Sequence, residues 1–222
     1  EITYARIQSR SSDVSDGTED GYLAFQTIGA GTFDERMRLD SSGRLLIGHD
    51  AQVHSLNDKV QISSTDSTAS IYLNRYSDNA YASYIHFNKS RSGTIGGNSI
   101  VLENDLLGRI YFEGNDGNGP QPAAHIEAYV DGTPGATDMP GRLVFKTTKD
   151  GVATPTERMT IDSSGKIGIN TTGMESDLHV CTAESSEEDG TLRVGGSNNE
   201  LGLALTYDQS GNTVAKIHAN PS

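Results

Sequence analysis

The chain has 222 residues and a formal net charge of −13, from 30 acidic against 17 basic side chains. That balance excludes nucleic acid or an anionic membrane surface as a partner, because both need clustered Lys and Arg. Leu, Ile, Val and Phe together make up about a fifth of the residues, Trp is absent and Gly numbers 25, so a monomeric globule of this length would be short of core. No apolar run approaches bilayer length, and no basic-then-apolar signal segment opens the chain. The first residues, Glu1-Ile2-Thr3-Tyr4, read as the interior of a longer protein. Cys181 is the lone cysteine, so neither an intrachain disulfide nor a cysteine-based zinc site can form from it.

Residues 1–50 read as the end of a repeat unit. A short strand is predicted at 5–8, followed by an acidic loop through Asp13, Asp16, Glu19 and Asp20. A second strand is predicted at 21–27, with Leu23 and Phe25 on one face and Tyr22, Ala24 and Gln26 on the other. The stretch 35–48 then reads Glu-Arg-Met-Arg-Leu-Asp-Ser-Ser-Gly-Arg-Leu-Leu-Ile-Gly. Met37 and Leu39 alternate with arginines before Asp-Ser-Ser-Gly, and Leu45 and Ile47 alternate after it, which predicts two half-buried antiparallel strands around a tight turn. Asp40 can accept from turn amides, and Gly43 suits a left-handed position.

Residues 51–170 read as one complete unit. Strands are predicted at 59–63, 69–74, 81–88, 108–114, 124–128 and 141–147. The hairpin pattern then returns at 157–170 as Glu-Arg-Met-Thr-Ile-Asp-Ser-Ser-Gly-Lys-Ile-Gly-Ile-Asn, with Met159, Ile161, Ile167 and Ile169 in the same phase. Residues 171–222 read as the opening of a third unit, with strands at 177–181, 190–194, 202–207 and 214–218 answering those at 59–63, 69–74, 81–88 and 108–114. The repeat is about 120 residues long, its insertions falling in loops. No window carries a helical period, so the fold class is all-β, built of repeated β-hairpins and short antiparallel strands.

Each hairpin offers only four inward apolar side chains, and a lone hairpin is marginal in water. Ordered strands with a poor private core point to a shared one. The eight residues Met37, Leu39, Leu45, Ile47, Met159, Ile161, Ile167 and Ile169 are therefore expected to form the core of an oligomer. Polar substitution at Met37, Leu39, Met159 or Ile161 should dissociate it, whereas changes at Arg38 or Thr160 should not.

The order of elements, with Gly-Arg-Leu-x-Phe-x-Thr at 141–147 and the hairpin motif at 157–170, resembles phage tail fibres and tailspikes. The resemblance implies an elongated, intertwined homotrimeric fibre, and such modules often stand before a self-cleaving chaperone domain. The serine–lysine cleavage site of that domain maps onto no position here. The implied partners are two identical chains and a host surface glycan or receptor, without membrane insertion, and the implied location is the extracellular tail fibre of a virion. A polysaccharide-degrading tailspike and a bacterial adhesin repeat are the alternatives.

Chemical sites are sparse. The histidines at 49, 54, 86, 125, 179 and 218 show no metal-ligand spacing and read as solvent-facing or cross-strand residues. The acidic loops 13–20 and 184–189 do not follow the calcium-loop pattern. Glu103 with Asp105, or Glu113 with Asp116, could supply a glycosidase pair, but nothing distinguishes them. The chain is thus read as non-enzymatic, with no catalytic residue, metal or cofactor. Tyr72, Tyr76, Tyr81 and Tyr84, interleaved with asparagines, are the candidate receptor contact.

Overall fold

Period-2 alternation makes ribbons that need a neighbour on each edge, and the computed structural model of the chain is built almost wholly of such ribbons. It describes residues 2–53 and 58–181 in full, and beyond them the backbone of the strands 191–195, 202–206 and 216–218. Among the described residues there is no helix. The chain divides into two compact units, Glu1–Tyr84 and Ile85–Ser222.

The first unit holds one five-stranded sheet in chain order: β1 (Ala5–Asp13), β2 (Asp20–Gly29), β3 (Thr32–Leu39), β4 (Leu45–Ile47) and β5 (Val60–Ile62). Strands β1 to β4 form an antiparallel meander, and β5 returns parallel to β4. The second unit repeats the plan with one more strand at the front: β6 (Leu106–Asn115), β7 (Pro120–Val130), β8 (Gly141–Thr147), β9 (Thr156–Ile161), β10 (Ile167–Ile169) and β11 (Leu178–Val180). Here too the last pair, β10 with β11, is parallel. A third sheet joins β12 (Thr191–Gly195), β13 (Gly202–Thr206) and β14 (Lys216–His218) in antiparallel fashion.

The two hairpins are built alike. Asp40 Oδ1 accepts from the amides of Ser42 and Arg44 at 3.0 and 2.9 Å, and Asp162 Oδ1 from those of Ser164 and Lys166 at 2.9 Å each. Gly43 and Gly165 take φ of 70° and 85°, the left-handed region where a Cβ would be strained. A β-bulge follows Phe25 in the β2–β3 pair and Phe145 in the β8–β9 pair. The parallel closing strands were not anticipated, because alternation fixes a face and carries no direction. Nor was the tight turn at Ala30-Gly31, both with positive φ, which joins β2 to β3.

Two predicted strands are corrected. Residues 69–74 and 81–88 carry the right alternation yet belong to no strand. A strand exists only against a hydrogen-bonding neighbour, and the sequence of a segment does not say whether its own chain supplies one.

Candidate assembly interface

Side chains at paired positions point to the same side of a sheet, so the strand registers define each face. In the first sheet, Ile7, Phe25, Met37, Ile47 and Ile62 form one row across all five strands, and Ser9, Leu23, Leu39, Leu45 and Val60 form the next. In the second, Ile110, Ile126, Phe145, Met159, Ile169 and Val180 form a row beside Gly108, Ala128, Leu143, Ile161, Ile167 and Leu178. All eight predicted core residues stand in these rows. The rows are open: Ile7 is 64% exposed, Val60 57% and Leu178 51%, and Leu39, Ile110 and Leu143 are exposed as well.

The opposite faces are the buried ones. In the first sheet Ala24, Leu46 and Gln61 lie in one buried row, covered by the segment after β4. Arg38 donates to the Asp50 carbonyl at 2.7 Å, and the Val53 amide donates to Gln61 at 3.3 Å. In the second sheet Gly168 takes the place of Leu46, and Met174 fills the space. A Cβ on Gly168 would meet the Thr171 carbonyl oxygen first and come 3.0 Å from both Cγ and Sδ of Met174. The two sheets thus solve one packing problem with opposite large and small residues.

On the same covered face lies a charged cluster that sequence reading missed. Glu127, 1% exposed, accepts from Lys146 Nζ at 2.8 Å and from the Tyr129 hydroxyl at 2.6 Å, with His125 Nδ1 at 3.2 Å and Arg109 also paired to it. Burial alone would push the Glu127 carboxyl up, but Lys146, Tyr129 and Arg109 outweigh it and hold the carboxyl below its ordinary value. The alternation at 124–128 placed His125 and Glu127 on one face. Only the register brought Arg109 and Lys146 over them.

This inversion corrects one expectation. Arg38 is paired with Glu35 at 2.5 Å, stacks on the Tyr22 ring and is part-buried, and Thr160 is buried. Neither is neutral surface, because the chain itself covers the face they occupy.

The remaining candidates divide between structural roles and open surface. Asp105 takes the Arg91 guanidinium at 2.6 and 2.7 Å, and Asp116 accepts from the Asn118 and Gly119 amides. Both carboxylates hold loops. A cleft lined in part by Glu103, Asp131, Glu157 and Asp162 is cross-tied, with Arg142 bonding Asp131 at 3.1 Å and Asn104 at 2.8 Å. Asp13 accepts from the Ser15 amide at 2.8 Å. Among the described residues no three His, Cys, Asp or Glu side chains converge as a metal site would need. His54, the loop 184–189 and the side chain of His218 lie outside the described residues. His125 is buried in the cluster above, His49 Nδ1 lies 2.5 Å from the Ala51 carbonyl, and His179 Nε2 lies 3.2 Å from Cys181 Sγ. Tyr72 and Tyr76 are 85% and 91% exposed, Tyr81 and Tyr84 less so, and Arg75 lies over the Tyr81 ring at 6.0 Å. No described helix is long and apolar enough to cross a membrane.

These features define a class: an all-β chain of meander sheets whose polar faces are sealed by their own loops and whose apolar faces stand open. No family model matches the sequence, and no curated protein does. Solved structures do match. The chain is similar to the carboxy-terminal domain of the bacteriophage T5 L-shaped tail fibre, with a TM-score of 0.59 and 15% identity over 90% of this chain and 81% of that one. It is also similar to that domain solved with its intramolecular chaperone domain, with a TM-score of 0.66 and 15% identity over 100% of this chain and 67% of that one. The fold is that of a phage tail-fibre domain.

Proposed function

We propose that the chain is a structural module of a homotrimeric phage tail fibre in the virion, acting in host attachment as a spacer. In this reading Tyr72, Tyr76, Tyr81 and Tyr84 offer contact to a surface glycan or receptor. The module is architecture and not an enzyme, and its repeat units run over 1–50, 51–170 and 171–222. The observation that carries the reading is the pair of open apolar faces. Three copies about one axis would let the three faces meet and close without leaving an open end.

Mass in solution tests this. The chain should run as a trimer, and Met37→Asp, Leu39→Asp, Met159→Asp or Ile161→Asp should each dissociate it. Ser42→Asp and Ser164→Asp, in the exposed turns, should leave it assembled. A monomeric wild-type chain would overturn the reading.

A further inference from the structure

We infer that the cleft in the second unit is a seat for a guanidinium group brought from outside the unit, the head of an arginine side chain. It stands apart from the fibre reading and needs neither the trimer nor host attachment. The cleft encloses about 370 Å³, and four carboxylates, Glu103, Asp131, Glu157 and Asp162, face one cation there, Arg142. Acidic side chains alone would say little, since solvated loops collect them as readily. What gives this cleft a ligand is its counterpart in the first unit.

The two hairpins correspond position by position, Glu35 to Gly48 with Glu157 to Asn170, and their bonds correspond as well. Arg36 Nε donates to the Thr27 hydroxyl at 2.9 Å and Arg158 Nε to that of Thr147 at 3.0 Å. The Gly48 amide donates to the Arg36 carbonyl, and the Asn170 amide to that of Arg158. In the first unit Arg38 forks onto both oxygens of Glu35, at 2.5 and 3.0 Å, and its third nitrogen donates to the Asp50 carbonyl at 2.7 Å. Only 16% of that side chain is exposed. In the second unit Thr160 stands in place of Arg38, and its shorter side chain leaves room for a guanidinium. Glu157 stands for Glu35 and Thr172 for Asp50, and both line the cleft. The second unit thus keeps the acceptor positions of a largely buried guanidinium and has given up the guanidinium itself.

No described cation of the chain takes that place. Glu157 is half-buried and accepts from the Thr160 hydroxyl, and among the described residues it pairs with no Lys or Arg. Asp131 and Asp162 are committed to the Ser163 amide and to the turn amides of Ser164 and Lys166, so they add field and not ligands. Arg142 is turned away to Asp131 at 3.1 Å and Asn104 at 2.8 Å, with its guanidinium 4.8 Å from the Tyr129 ring centre. The strand registers set Arg142 where the first unit has Tyr22, the ring on which Arg38 stacks. The seat therefore lacks that ring and works through the carboxylate fork. A fork suits a planar guanidinium, whose paired N–H groups match two carboxylate oxygens, better than an ammonium, which acts as a point charge.

Met174 lines the cleft, and the chain has only 4 methionines, so methyl-labelled methionine gives a resolved magnetic-resonance signal there. The full chain is titrated with N-acetyl-arginine amide at constant ionic strength. The Met174 signal, assigned by its loss in Met174→Leu, should shift and saturate, while those of Met37 and Met159, on the open faces, stay in place. Glu157→Gln should weaken binding about tenfold, because it removes a charge-assisted hydrogen-bonded fork. N-acetyl-lysine amide should bind more weakly than the arginine probe. Thr160→Arg should move the Met174 signal with no probe present and abolish the response to it, since the chain then supplies its own ligand as the first unit does. A Met174 signal that never saturates, an undiminished response in Glu157→Gln, or equal binding of the lysine probe would overturn the seat and leave the fibre reading untouched.

Discussion

Glu127 shows how much one side chain can carry when a register converges on it. Its carboxylate is buried between Arg109 and Lys146, and removing one partner from a buried pair costs about 3–5 kcal/mol, because the remaining charge stays desolvated. Glu127→Gln should cost about 3 kcal/mol of stability at neutral pH on that basis. Acid should act through the same group. A carboxyl with a lower pKa folded than unfolded contributes stability above its unfolded value, and the contribution is lost as pH falls through the folded value. The wild-type melting temperature should therefore fall as pH drops below 4.5, the ordinary glutamate value. The Gln variant should show a shallower acid slope, since it has no proton to gain there. Parallel acid slopes for the two proteins would remove Glu127 from the account.

At the scale of elements, the closing strand of each hairpin decides what lies over the sheet. Leu46 on β4 and Gly168 on β10 are equivalent positions, and the side chain missing at Gly168 is replaced by Met174 from the following loop. Gly168→Leu should overpack this site and cost about 1–3 kcal/mol. Adding Met174→Gln, which copies the first sheet's Gln52, should return only part of that loss, because the Thr171 carbonyl oxygen that a side chain at 168 meets first stays in place. Thermal melts of the two single variants and the double form a cycle, and strict additivity would mean that the two positions do not share a space. Most of this element was legible beforehand. Alternation located the hairpins, and Asp-Ser-Ser-Gly located the turns, because turn chemistry is local. The parallel strands β5 and β11 were found as strands but not placed, since direction depends on partners fifteen and eleven residues away. The cluster at Glu127 was illegible for the same reason: its four partners come from three strands.

At the largest scale, the four apolar residues of each hairpin stand on one face of their own sheet, and what their sequence could not tell was that the other face is sealed too. That sealing is the work of loops with no periodic signature, such as 50–53 and 171–174. The stretches at 69–74 and 81–88 failed from the opposite cause, a clear local alternation in segments that join no sheet. In the proposed trimer, charges sealed inside each copy and apolar faces set between copies also fix how the assembly should answer to its medium. Each copy carries a formal −13, so added salt screens repulsion between copies and has few ion pairs between them to weaken. Trimer mass should persist in about 1 M sodium chloride, where the screening length is only about 3 Å. Ammonium sulfate should raise the temperature at which the copies part, and cooling should loosen them. Dissociation by salt alone would place charged pairs at the contact instead. A fibre joined in this way would be indifferent to the ionic strength of its surroundings and sensitive to their temperature.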